Sequence, residues 1–226
     1  MDRTIFVINP NSTQAVTSAF DTALDPLRVA GGPRIVSLTL EEGPPGVQTQ
    51  MDVESVTLPL AQRVRALDAQ HGDAAGAFVI ACFSDPGLHA VREVTRKPVL
   101  GISECGMLTA MTLGQRIGVI AILRQSLARH ARFFGASGFT GRIAAELPLE
   151  LGVVELSDEA RTRERLLAVG RRLRDEHQSD VVVLGCAGMA AYRDWLQHEL
   201  GIPVVEPTQA ATGMAIARVL LGWHRA

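Results

Sequence analysis

One motif constrains this chain more than any other feature, because it occurs twice: an apolar run, then a cysteine, then small or turn-forming residues. "FVIACFSDPG", Phe78 to Gly87, is one copy, and "VVVLGCAGM", Val181 to Met189, is the other. Short apolar runs bounded by glycine and proline read as buried strands. A proline-valine strand start follows each copy, Pro98-Val99 after Cys82 and Pro203-Val204 after Cys186. Upstream, "RTIFVINPNS" and "QRIGVIAILRQS" hold corresponding first-strand positions. The repeat predicts two similar halves, each with a cysteine at the carboxyl end of a sheet strand, the end where open α/β sheets bind ligands. Halves related by a pseudo-twofold axis bring Cys82 and Cys186 to one cleft. A looser reading is that all α/β units resemble one another.

Elsewhere, strand-like runs alternate with helix-period stretches, which predicts an α/β fold with mostly parallel sheets flanked by helices. Strands are expected at Thr4 to Ile8, "RIVSLTL", Ala77 to Ala81, "PVLGI", "RIGVIAI", "DVVVLG" and "IPVVE". In "STQAVTSAFDTAL" the residues Val16, Ala19, Phe20 and Ala23 share one helical face. Further helices are expected from Val53 to Gln70, from Leu88 to Thr95, in "SLARHARFFGAS", from Asp158 to His177, in "AAYRDWLQHEL" and from Gln209 onward. The expected organisation is a first lobe over 1–110, completed by a C-terminal helix at 207–226, and a second lobe over 111–206.

Composition excludes several classes. At 226 residues with a formal charge of −2, the chain offers no electrostatic footprint for nucleic acid. The run "RTRERLLAVGRRLRDEH" interleaves its arginines with Glu164, Asp175 and Glu176, the mark of a solvated helix face. No apolar run is long enough to span a bilayer, and "MDRTIFVINPNST" is not a secretory signal. Three widely spaced cysteines argue against a disulfide framework and for a reducing, cytoplasmic setting. None of the six histidines stands at metal-ligand spacing, so no metal is expected. Neither GxGxxG nor GxxxxGK[ST] is present. The expected partner is a small molecule.

The cysteine surroundings suit reactive thiols. Ser84 or Asp85 could cap a helix with Pro86 at its first position, and Gly185, Ala187 and Gly188 let backbone amides approach a ligand. A thiol at a helix N-terminus is expected to ionise below its usual range. One thiolate and one thiol on opposite faces of a carbon acid form a two-base proton exchanger that needs no cofactor. Against this stands the plainer possibility that free cysteines are buried small hydrophobes. Asn9 and Asn11 either close a turn or reach a substrate.

These residues resemble the aspartate/glutamate/hydantoin racemase superfamily, most closely its hydantoin racemase branch. "VINPNST", "ACFSDPGL", "PVLGISE" and "LGCAGMA" carry the resemblance in family order over nearly the whole chain. It implies two pseudo-symmetric lobes with the site between them, Cys82 and Cys186 as the acid/base pair, and a cofactor-free reaction on 5-substituted hydantoins or allantoin. It further implies substrate contacts from Asn9, Pro10 and Asn11, from Phe83, Ser84 and Asp85, and from Gly185, Ala187 and Gly188. A homo-oligomer is usual for such proteins. Two departures stand out: Ala121, Ile122 and Leu123 where relatives carry a threonine, and Cys105 where a small residue is usual. A racemase or isomerase of a linear acid is the nearest alternative, disfavoured because no basic residue adjoins either cysteine in sequence, although Arg124 could reach in. A non-catalytic binding protein and a thiol–disulfide oxidoreductase are further alternatives.

Overall fold

The computed structural model describes residues 3–224. The first half runs β1 (Thr4–Asn9), α1 (Gln14–Ala23), β2 (Arg34–Thr39), α2 (Gln50–His71), β3 (Ala75–Ile80), α3 (Leu88–Val94), β4 (Val99–Gly101) and α4 (Ile102–Leu113). The second half repeats that order with β5 (Ile117–Ala121), α5 (Arg124–Ala136), β6 (Ile143–Pro148), α6 (Glu159–Asp175), β7 (Val181–Leu184), α7 (Arg193–Leu200), β8 (Val204–Val205) and α8 (Pro207–Leu221). Each half forms a four-stranded parallel sheet, ordered β2-β1-β3-β4 in one and β6-β5-β7-β8 in the other. Strands β1, β3, β5 and β7 are buried along their whole length, which is why they read as apolar runs rather than alternating ones.

The halves match at the level of single hydrogen bonds. The amide just beyond β3 at Ala81 donates to Ile8 at 2.8 Å, and Gly185 just beyond β7 donates to Ile120 at 2.8 Å. On the other flank Leu40 donates to Asn9 at 2.9 Å and Leu149 to Ala121 at 2.8 Å. Ile8 lies opposite Ile80 as Ile120 lies opposite Leu184, so Cys82 and Cys186 occupy the same place two residues past equivalent strand positions. The duplication is structural, and the two-lobed α/β expectation holds.

Helices are exchanged between the sheets. α8 lies on β1, β3 and β4, whereas α4 lies on β7 and β8 as well as on its own β4, and the two helices pack against each other. A Cβ at Gly106 would stand 2.9 Å from the Pro207 Cβ, so only a glycine lets these helices come so close. The expected division between residues 110 and 111 therefore falls inside α4. α1 of the first half crosses in the same manner to pack on residues 187–192 of the second. Each cysteine loop is roofed by the other half's first helix.

Three details differ from the sequence expectation. α4 and β6 were not foreseen: "ISECGMLTAMTL" mixes polar and apolar residues without a clear face, and β6 is a half-buried edge strand. Ser84 and Asp85 do not cap α3. That helix begins at Leu88 behind Gly87, which suits glycine because its φ is 64° and a Cβ there would stand 3.0 Å from Thr57 Cγ2. Cys186, by contrast, does stand at the start of a helical turn, a 3-10 segment over Ala187–Tyr192. Among the described residues, no helix is long and apolar enough to cross a membrane.

Candidate active site

Both cysteines open onto one small cavity of about 30 Å³ between the two sheets. Cys82 and Cys186 are half-buried and free, and Cys105 is buried. Of the residues expected at the site, the cavity brings together Cys82, Phe83 and Ser84 from the first half, Gly185, Cys186 and Ala187 from the second, and Asn11 from the loop after β1. A Cβ on Gly185 would stand 2.5 Å from the Ile120 carbonyl, so β5 and β7 stay close where Cys186 leaves the sheet only because this residue has no side chain.

The remaining expected residues lie behind that wall. Asn9 is fully buried, and its amide nitrogen donates to Asn11 Oδ1 and to Thr17 Oγ1, each at 3.0 Å. Asn9 thus holds Asn11 in place and does not line the cavity. Pro10 turns its carbonyl toward Gly43 and is likewise off the cavity. The Asp85 carboxylate accepts from the Ser103 and Glu104 amides at 2.9 and 2.8 Å, capping α4 from a neighbouring loop. Gly188 donates its amide to Cys186 Sγ at 3.4 Å and borders a second, apolar groove of about 220 Å³, which shares Val16 and Val153 with the cavity.

α5 supplies what the sequence reading missed. Its buried stripe is Ser126, Arg129, His130 and Phe134, a polar stripe at helical spacing beside one aromatic. Ser126, Arg129 and His130 all line the cavity. Arg129 Nε donates to Ser84 Oγ at 3.0 Å, one Nη to the Gln48 carbonyl at 3.1 Å and the other to Ser126 Oγ at 3.3 Å. His130 Nδ1 shares a 2.5 Å hydrogen bond with Glu146 Oε1, and its ring meets Phe83 edge-on at 5.4 Å. Arg124, the basic residue expected to reach in, instead points to solvent and pairs with Glu150. Arg129 does not stand out in the sequence from Arg124 and Arg132, which the same helix leaves exposed.

The thiols ionise above their ordinary range, opposite to the expectation from helix starts. Burial pushes Cys82 up to about 11, against a pull downward from the Ser84 amide and the Arg129 charge, while Asp85 adds to the rise. Burial pushes Cys186 up to about 12, opposed by the Gly188 amide and reinforced by Cys82 and Glu206. Glu206 is itself buried and caps α8 through the Thr208 and Gln209 amides. The lowering expected at Cys82 fails because no helix begins there, and at Cys186 because one 3-10 turn cannot offset its desolvation. Among the described residues, no three His, Cys, Asp or Glu side chains converge as a metal site.

The family model for Asp/Glu/hydantoin racemase matches residues 5–215, all but the ends of the chain. The chain belongs to the Asp/Glu/hydantoin racemase family. Within that family it is similar to the hydantoin racemase of Paenarthrobacter aurescens, 33% identical over 97% of this chain and 92% of that one. A hydantoin racemase of Pseudomonas sp. (strain NS671) is 34% identical, with 96% of this chain and 86% of that one covered. Among solved structures, the allantoin racemase of Klebsiella pneumoniae superposes with a TM-score of 0.93 at 31% identity, covering 99% of this chain and 90% of that one. These racemase relatives support an isomerase.

Proposed function

We propose that this protein is a cofactor-independent racemase of 5-substituted hydantoins or of allantoin, working by proton transfer between Cys82 and Cys186. One observation carries the reading: two half-buried thiols, on loops equivalent down to their hydrogen bonds, open onto the same cavity from opposite sheets. Racemisation requires a base on one face of the reacting carbon and an acid on the other, and a pseudo-twofold pair meets that demand. The names of the relatives supply the substrate class.

In this reaction one thiolate takes the hydrogen of ring C5. The electron pair left behind moves into the adjacent ring carbonyl, giving an enolate. The opposite thiol then returns its proton to C5 from the other face, so the proton inventory of the pair is conserved. Hydrogen-bond donors aimed at the developing oxyanion lower the barrier; the Ser84 hydroxyl and the Asn11 side-chain amide line the cavity and are the donors this reading assigns to it.

A second reading has one observation in its favour. Arg129 is a buried cation at the cavity, the group a carboxylate substrate needs, and it revives an acid racemase or isomerase. A single experiment separates the two. Each enantiomer of an alkyl hydantoin, of allantoin, of aspartate and of glutamate is incubated in D₂O with wild type, Cys82→Ser and Cys186→Ser. Loss of optical rotation and loss of the C–H signal are followed against a protein-free control. The hydantoin reading expects both ring substrates or one of them to racemise, with each serine variant slowed by about 10²- to 10⁴-fold. Turnover of the acids alone would replace it with the second reading.

A further inference from the structure

The two thiols are equivalent in topology and unequal in charge. α1 roofs the Cys186 loop and faces the cavity with Val16, and its one ionisable side chain, Asp21, is bound to Arg28 away from the cavity. α5 roofs the Cys82 loop and faces the cavity with Ser126, Arg129 and His130. Arg129 is only 9% exposed, and its three hydrogen bonds all go to neutral oxygens, those of Ser84, Gln48 and Ser126. Among the described residues it has no carboxylate ion pair; of the charges that bear on it Cys82 comes first, ahead of Asp52, Arg132 and Glu146. A buried cation without a bound anion is costly to keep. The guanidinium is anchored to the residue two beyond Cys82, so the anion it stands ready to compensate is the Cys82 thiolate.

We propose that Arg129 is a positioning residue that makes Cys82 the first of the two cysteines to ionise, so that the reactive fraction of the protein meets substrate as a Cys82 thiolate opposite a Cys186 thiol. The inference rests on the two-thiol racemase reading and adds to it the resting location of the negative charge. The groups facing Cys82 are Arg129 and the Glu146-bound His130 from α5, Asp85 from its own loop, and Cys186 from the opposite loop. Asp85 opposes ionisation but spends its carboxylate on the α4 amides. Burial raises both thiols, and the Arg129 charge pulls Cys82 back down while no cation does so at Cys186. The equilibrium constant of a racemisation is unity, so losing Arg129 must lower kcat/KM equally for both enantiomers. Its signature is the reactivity of one sulfur.

The test uses the whole protein without substrate. Wild type, Arg129→Gln and Arg129→Lys are treated with limiting iodoacetamide at mildly alkaline pH, and mass spectrometry follows labelling of Cys82 and Cys186 separately. The proposal expects Cys82 to label first in wild type. In Arg129→Gln its rate should fall about tenfold, the equivalent of one pKa unit, with Cys186 unchanged as the internal check on folding. Arg129→Lys should keep Cys82 near its wild-type rate. Faster labelling of Cys186 in wild type overturns the proposal without any variant, which covers the case in which Arg129→Gln does not fold. So does an unchanged Cys82 rate in a folded Arg129→Gln, above all if KM for the ring substrate rises, since Arg129 is then a substrate anchor. Labelling needs no turnover, so a failure to racemise hydantoins sinks the proposed function and leaves the charge assignment standing.

Discussion

Arg129 donates to Ser84 Oγ at 3.0 Å, so the guanidinium of one half rests on the cysteine loop of the other. This bond crosses the pseudo-twofold interface and breaks its symmetry, because α1 sends no cation in return to the Cys186 loop. With Asn9 and Thr17 tied behind Asn11 at the opposite wall, the cavity has a cation on the Cys82 side and none on the Cys186 side. The proposed racemisation is thereby set in an asymmetric field.

The first prediction concerns pH. Burial raises both thiols, to about 11 and about 12, so near neutrality only a small fraction of the protein carries the thiolate base. That fraction grows about tenfold per pH unit below the lower of the two values. Initial polarimetric rates should therefore climb through the mildly alkaline range instead of reaching a plateau near neutrality. The same shifts bear on stability. The folded thiols hold their protons more tightly than unfolded ones, so their contribution is intact below the ordinary thiol pKa and is lost as pH rises through the folded values. Urea unfolding at rising alkaline pH should show that decline, and the Cys82→Ser variant should show less of it.

Cys105 tests which of the three cysteines matter. It is 1% exposed in α4 and packs in the main core, away from the cavity. Native protein should yield two alkylated cysteines and unfolded protein three. Cys105→Ala should keep kcat/KM for the ring substrate and lose about 1 kcal/mol of stability, the cost of a small cavity. A large fall in kcat/KM without loss of stability would give Cys105 a part in the chemistry.

How much of this was legible in the residues follows from where each signal lives. Cys82 and Cys186 stood out because an apolar strand ending in cysteine is a local pattern, and its repetition survives in one dimension. The Cys82 and Cys186 loops were placed for the same reason. Arg129 and His130 were not, since nothing local tells an arginine facing water from one facing the other half's loop; only the crossing of α5 decides it. Arg124 attracted notice in its place and turned out to be paired at the surface. The thiol pKa values were misjudged because a helix start was inferred from Ser84, Asp85 and Pro86, whereas the chain makes a turn there and begins α3 only after Gly87. β6 escaped because edge strands lack the continuous apolar run of buried ones.

Substrate size should depend on Val153. This side chain stands between the 30 Å³ cavity and the 220 Å³ apolar groove beside Gly188, and borders both. Val153→Ala should join the two spaces at a stability cost of about 1–2 kcal/mol for the lost apolar burial. KM should fall for hydantoins bearing bulky apolar 5-substituents and stay near the wild-type value for small ones. Equal changes in KM for both classes would place the substituent elsewhere.

Asp85 ties the Cys82 loop to the second half of its own lobe. Its carboxylate caps α4 through two backbone amides, and a Cβ at Gly101 would stand 2.2 Å from its Cγ, so the fit tolerates nothing larger than glycine there. Asp85→Ala should cost about 1–2 kcal/mol, the usual loss for a removed helix cap. Gly101→Ala should destabilise comparably by overpacking, about 1–3 kcal/mol. Burial raises the Asp85 carboxyl to about 7 from an ordinary 3.8, with the Glu104 and Ser103 amides pulling the other way. Between those two values the folded chain binds more protons than the unfolded one at this site, so its contribution to stability falls as pH rises across that window. Asp85→Asn removes the titrating group while keeping an acceptor oxygen. Urea midpoints measured from acid to neutral pH should fall less steeply for Asp85→Asn than for wild type, and parallel curves would mean that Asp85 stays ionised throughout, held by the α4 amides.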